Sequence, residues 1–190
     1  MKADIVYAVS PSASPSDTLK TMQFFRNISS RMDIGPQKIH IGLVPKDCDD
    51  IPEVRLGRNI RKALHQIERR SLPSTASVLR YIKESAFTEE RGGRPNVKRI
   101  GVLVVDGPLD RMKLAAKEAI RLREEENVEL FVVGVGKEVL PNDLKAIASS
   151  PADSHVYHVE NYDELPSIVS QVTAGICPGE WLLFGANASF

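Results

Sequence analysis

Short apolar runs alternate along the chain with segments whose apolar residues recur every three or four positions. This is the pattern of strands interleaved with amphipathic helices. Residues 3–9, ADIVYAV, read as a β-rich run closed by the loop signal SPSASPSD. A helix over 16–32 follows, with Leu19, Met22, Phe25, Ile28 and Met32 as its buried stripe, and Ile34-Gly35-Pro36 stops it. Residues 38–44, KIHIGLV, and 54–56, VRL, predict two strands paired as a hairpin across the turn at 45–50. Helices are expected over 59–69, on Ile60, Leu64 and Ile67, and after the RSLPST loop, on Val78, Leu79, Ile82 and Phe87.

Residues 100–105, IGVLVV, are apolar on both sides of the pleat, as a central parallel strand must be. Asp106-Gly107-Pro108 ends that run. A helix over 109–126, a buried strand over 128–135, a short helix near 141–148, a last strand at 155–159 and a helix over 162–174 complete the series. The order predicts a doubly wound α/β fold: a mostly parallel six-stranded sheet with one antiparallel edge strand and helices on both faces. The domain is expected to span 1–177. Residues 178–190, with Trp181, Leu182, Leu183 and Phe184 after a Pro-Gly break, form a tail or a junction with a neighbouring domain.

Composition narrows the function. Of 190 residues, 42% are hydrophobic and 26% charged, which suits one globular domain with a substantial core. Lys+Arg and Asp+Glu are both 25, so the basic excess of a phosphate-neutralising protein is missing and nucleic acid is not the expected partner. No apolar run approaches the ~18 residues of a membrane span, so no membrane insertion is expected. The opening MKADIVYAV has no small-residue cleavage site of a signal peptide. His40, His65, His155 and His158 form no metal-ligand cluster, and His155 and His158, three apart in a strand, are expected on opposite faces.

In a doubly wound sheet ligands bind beyond the carboxyl ends of the strands, at the point where the strand order reverses. The loops expected there bring Ser10, Ser12, Ser14, Ser74, Thr75 and Asp106 together. One carboxylate among hydroxyls can hold a hard cation weakly; equally, the serines can cap the first helix while Asp106 turns the chain into the next one. Enzyme signatures fail: there is no GxGxxG after the first strand, no GxxxxGK[ST], no GxSxG and no Ser–His–Asp set on one rim. Cys48 sits among Asp47, Asp49 and Asp50, which disfavours its thiolate. The basic stretch from Arg91 to Arg99 is expected as a solvated turn, or as a contact for an acidic partner.

Taken in order, Asp4-Ile5-Val6-Tyr7 leading to Ser10-Pro11-Ser12-Ala13-Ser14, Arg31-Met32-Asp33-Ile34-Gly35, Lys38-Ile39-His40-Ile41-Gly42-Leu43-Val44, Leu79-Arg80-Tyr81-Ile82, Gly93-Arg94-Pro95-Asn96-Val97, Val104-Val105-Asp106-Gly107, Phe131-Val132-Val133-Gly134-Val135-Gly136 and Val159-Glu160-Asn161-Tyr162-Asp163-Glu164-Leu165 resemble a von Willebrand factor type A domain. The resemblance covers about residues 3 to 177. The GRPNV loop and the VENYDEL close are most similar to the globular domains of collagen VI alpha chains, then to matrilins and von Willebrand factor itself.

The resemblance implies a metal-ion-dependent adhesion site built from DxSxS, a Thr before a helix and an Asp in a DG turn. Here Ser10 stands where the first Asp belongs, Ser12 and Ser14 match, Pro73 stands at the Thr position, and Asp106 matches the final Asp. Thr75 matches a later Thr that is not a ligand. The implied site is degenerate, with no metal and no other cofactor. The implied function is a non-enzymatic, secreted extracellular matrix domain, part of a collagen VI-like chain, that binds other matrix proteins or neighbouring domains of its assembly. Two alternatives stay open: an intracellular assembly module of the same family, and a hydrolase working through Asp106 and the rim serines.

Asn27-Ile28-Ser29 and Asn187-Ala188-Ser189 are glycosylation sequons. Asn27 is expected on the outward side of its helix and so able to carry a glycan. Cys48 belongs near the rim, whereas Cys177 lies at the far end of a helix descending from it. The two are therefore not expected to bond to each other, and Cys177 is the candidate for a disulfide to an adjacent domain or chain.

Overall fold

The computed structural model describes residues 1–9, 13–44, 74–109 and 112–178. Within them five strands form one sheet: β1 (Ala3–Ala8), β2 (Ile39–Val44), β3 (Lys98–Val105), β4 (Val128–Val135) and β5 (Val156–Val159). Their order is β2-β1-β3-β4-β5, and every described pairing is parallel. The expected strand at 54–56, its antiparallel pairing and the helix at 59–69 lie outside the described residues.

Period-two alternation along the strands splits the core into two layers. Ile5 and Tyr7 of β1 and Phe131, Val133 and Val135 of β4 pack against α1 (Pro15–Ser29) and, near the chain end, the helix Leu165–Ile176. Val6 and Ala8, with Leu130 and Val132, face the other way. There they meet α2 (Thr75–Tyr81), α3 (Met112–Glu125) and α4 (Pro141–Ile147). A one-turn helix, α5 (Ala152–His155), precedes β5, and Leu165–Ile176 is α6. Helices cover both faces, as the alternation of elements requires.

Three local readings need correction. The buried face of α1 is Thr21, Phe24, Phe25 and Ile28, whereas Leu19 is 72% exposed and Met22 half-buried; Met32 is buried as expected but lies past the helix end. Positions 21, 24, 25 and 28 share one helical face; burying Thr21 costs little because its hydroxyl donates to the Asp17 carbonyl at 2.8 Å. Beyond α2 the chain widens into a π turn, Ile82–Ala86. A turn closed between residues five apart leaves Ile82 and Phe87 in the same buried cluster, which a regular helix would separate by about 140°. His155 closes α5 rather than opening the last strand. Its ring packs on Phe131 with centroids 4.6 Å apart, while His158 is exposed and contacts the Gly136 carbonyl.

The 91–99 stretch is a solvated turn leading into β3, as expected, but its cations are not spare. Arg94 reaches under the sheet to the buried carboxylate of Asp4, Arg99 pairs with Glu126, and Lys98 pairs with Glu129. Arg91 lies over the Tyr81 ring. The loop that looked available to an acidic partner fastens the sheet's amino-terminal edge.

Candidate functional site

The strand order reverses between β1 and β3. From β1 the chain goes one way to β2, and β3 then lies on β1's other side. The crevice beyond the carboxyl ends of these two strands is where the fold seats ligands. Ser14 and Asp106 both stand at this rim. Ser10, Ser12 and Pro73 lie outside the described residues.

Ser14 is the N-cap of α1, in extended backbone ahead of Pro15. Its Oγ accepts from the Asp17 amide at 3.2 Å, donates to Asp17 Oδ2 at 2.6 Å and lies 2.9 Å from Ser16 Oγ. Capping satisfies an amide that the first helical turn leaves without a partner. Ser74 does the same for α2 in a capping box with Ser77, whose hydroxyl accepts from the Ser74 amide at 2.8 Å. Thr75 is the first residue of that helix. The rim hydroxyls of Ser14 and Ser74 thus have structural partners.

Asp106 follows the last residue of β3, and Gly107 turns the chain there at φ 115°, in the left-handed region that favours glycine. Asp106 Oδ2 accepts a 2.7 Å hydrogen bond from the hydroxyl of Tyr162. Tyr162 opens a short 3-10 turn, Tyr162–Glu164, capped by Asn161, whose Oδ1 accepts from the Asp163 amide at 2.9 Å. Burial raises the Tyr162 phenol well above its ordinary range, and the bond to Asp106 and the charges of Asp106 and Asp17 raise it further. Across the same corner Lys20 of α1 pairs with Asp163 at 2.8 Å. Tyr162 was not singled out from the sequence. Its only signal was a hydroxylated aromatic ahead of the last helix, on the side where the strands end.

The remaining sequence candidates lie away from the rim. Asn27 is half-buried on α1 rather than fully outward; its Oδ1 accepts from Gln23 Nε2 at 2.9 Å. The sequon's Ser29 hydroxyl donates to the Phe25 carbonyl at 2.8 Å and meets the Tyr7 hydroxyl at 3.0 Å. Cys177 caps α6 and is 4% exposed, in the cluster that contains Tyr7. Cys48 and Asn187 lie outside the described residues. Among the described residues no group of three or more His, Cys, Asp or Glu is placed to hold a metal ion, and no helix is long and apolar enough to cross a membrane.

Against known proteins, the von Willebrand factor type A domain family model matches residues 4–171. The collagen alpha-6(VI) chain of Homo sapiens is 32% identical over 186 residues, covering 93% of this chain and 8% of that protein. Matrilin-4 of Homo sapiens is 30% identical over 196 residues, covering 97% of this chain and 31% of that protein. This chain therefore corresponds to a minor part of each of these relatives. Among solved structures, proximal thread matrix protein 1 from the mussel byssus, with a zinc-occupied MIDAS motif, superposes with a TM-score of 0.68 at 18% identity. The match covers 93% of this chain and 48% of that one, and at this identity it speaks for the fold. The parallel sheet with helices on both faces, the family match over residues 4–171 and the relatives lead to one conclusion: the chain belongs to the von Willebrand factor type A domain family.

Proposed function

We propose that this chain is a non-enzymatic, secreted extracellular matrix domain, carried on a collagen VI-like chain, that binds other matrix proteins or neighbouring domains without a metal ion. The observation that carries the reading is Asp106. It is the one carboxylate in the set Ser10, Ser12, Ser14, Pro73 and Asp106, and it already accepts a hydrogen bond from Tyr162. Hard divalent cations are held by several oxygens with negative charge among them. A set with a single carboxylate, a proline that offers no side-chain oxygen and a Ser14 hydroxyl engaged in capping α1 does not fit that demand. Matrix relatives at 30–32% identity supply the extracellular setting.

In this reading the domain spans residues 1–177, and 178–190 form its tail or its junction with the next unit. Asn27 and Asn187 are the glycan acceptors. Cys177 bonds an adjacent domain or chain once the last turn of α6 opens, since the thiol is 4% exposed in the closed fold. The test is capture of partners from matrix extract on the immobilised domain, in buffer with calcium and magnesium and again with chelator. Equal capture of the same proteins in both supports the proposal; partners that elute on chelation overturn it.

A further inference from the structure

We propose that the Tyr162 hydroxyl stands at Asp106 in the place of a cation and bars metal from that carboxylate, adding to the misfit left by Ser10 and Pro73. The inference rests on the reading of the rim as a site that works without metal, and goes further by naming a residue that acts at the remaining carboxylate.

The geometry is that of a built-in partner. The hydroxyl lies 2.7 Å from Asp106 Oδ2, within the range of a charge-assisted O–H···O bond. The ring is packed against the α1/α6 core layer. The turn that carries it is pinned by Asn161, whose Oδ1 takes the Asp163 amide and whose Nδ2 donates to Glu164 Oε1 at 2.8 Å. A third bond into that turn runs from the Glu160 amide to Glu164 Oε2 at 3.0 Å. The donor is therefore fixed in place, with no side chain to be ordered when it meets the carboxylate.

A dication that approached Asp106 along the Oδ2 lone pair facing Tyr162 would have to displace this hydrogen bond, because the two cannot share it. Burial, with the bond to Asp106 and the charges of Asp106 and Asp17 added to it, keeps the phenol protonated above the ordinary tyrosine range, so the donor persists across physiological pH. Hydrogen-bonding this carboxylate meets its need for a positive partner without a metal. The contact also joins the end of β3 to the turn after β5 across the intervening β4. A metal-based rim would need an ion to make that link.

Phenylalanine keeps the ring and removes the proton, so Tyr162→Phe isolates the contact. The probe is Mn2+, followed by loss of the free-ion magnetic resonance signal and by calorimetric titration. Four proteins are compared: the natural chain, Tyr162→Phe, Ser10→Asp/Pro73→Thr, and the three changes together. Tyr162→Phe is expected to tighten Mn2+ at least about tenfold in the Ser10→Asp/Pro73→Thr background, equivalent to about 1.4 kcal/mol, and to leave the natural chain without a saturable site. Adding Asp106→Asn to the triple variant should abolish that gain. The proposal is overturned if, in the Ser10→Asp/Pro73→Thr background, Tyr162→Phe leaves Mn2+ affinity within about threefold of its parent. Circular dichroism checks folding, and should that background not fold, Ser10→Asp with and without Tyr162→Phe decides by the same threshold. Chelator-insensitive capture of partners by the natural chain is a separate measurement, so failure here leaves the metal-independent reading standing.

Discussion

Arg94 and Asp4, ninety positions apart, meet in a paired hydrogen bond at the amino-terminal edge of the sheet. Nε and Nη2 of the arginine lie 2.8 and 2.7 Å from Asp4 Oδ1, and the Arg94 amide donates to Oδ2 at 2.7 Å. The guanidinium continues to the carbonyls of Ala3 and Lys38, tying the start of β1 to the residue before β2. Asp4 is 5% exposed, so this carboxylate relies on Arg94 for charge.

Arg94→Ala should lower the unfolding free energy by about 3–5 kcal/mol, the cost of leaving a buried charge without its partner. Arg94→Lys should recover less than half of that, since an ammonium cannot reproduce the fork. Urea unfolding measures both. A loss under about 1 kcal/mol for Arg94→Ala would mean that Asp4 is served by other groups, His40 at 3.9 Å being the nearest.

The domain should lose stability in mild acid through Glu129. Burial pushes its carboxyl up, but hydrogen bonds from Lys98 and His155 and their charges outweigh it, and the group sits below the usual carboxylate range. The folded chain thus binds this proton more weakly than the unfolded chain. The contribution is complete above the unfolded value of ~4.3 and is lost as pH falls from there through the lower folded value. Both nitrogens of His155 face acceptors: Nε2 the Glu129 carboxylate at 3.0 Å and Nδ1 the Pro151 carbonyl at 2.8 Å. Glu129→Gln should melt lower at neutral pH and show a flatter melting curve between about pH 3 and 6. Thermal scans across that range decide.

At the alkaline end the sensitive group is Tyr7. Burial raises its hydroxyl to about 12, partly offset by the bond to Ser29, and the nearby Cys177 adds to the rise. The protonated phenol belongs to the fold, so its contribution is complete below the ordinary ~10 and is lost as pH climbs toward the folded value. Tyrosinate absorbance should rise together with loss of far-ultraviolet ellipticity between pH ~10 and ~12. Tyr7→Phe should move that loss of ellipticity upward, provided its ring still stacks on Phe25, whose centroid is 4.5 Å away.

Adjacent glycines at the 91–94 turn should respond unequally to alanine. Gly92 sits at φ 85° with open space around its α-carbon, so Gly92→Ala is strained by about 1–2 kcal/mol and no more. A methyl at Gly93 would run into the backbone carbonyl of Phe87, which has no flexible end to give way. Gly93→Ala should be the more damaging of the two, displacing the loop that carries Arg94. Chemical denaturation of the pair gives the ranking, and the reverse order would count against this account of the turn.

Period alone made the layers readable, because Ile5 and Tyr7 versus Val6 and Ala8 can only face opposite sides of a strand. Helix faces were less secure. Leu19 fits a three-four spacing as well as Phe24 does, and only the position of the Ser14 cap and the satisfied hydroxyl of Thr21 select the true face. The cations of 91–99 read as solvated because their partners, Asp4, Glu126 and Glu129, come from distant strands and turns. Tyr162 was hidden for the same reason. Its hydroxyl meets a carboxylate 56 positions earlier, and nothing local to VENYDEL announces that contact. Ser14 and Asp106 were legible as rim residues from strand-end logic, whereas their hydrogen-bond partners were not.

The placement of β1 between β2 and β3 also sets a clock for synthesis. Of the described strands β1 is made before the rest, yet its second neighbour ends at Val105, and Asp4 waits for Arg94. At about 5–20 residues per second, the apolar run ADIVYA spends roughly 5–20 s without the partner that completes its pairing. Until then this apolar strand keeps one edge of unpaired backbone groups, a template on which another chain can pair.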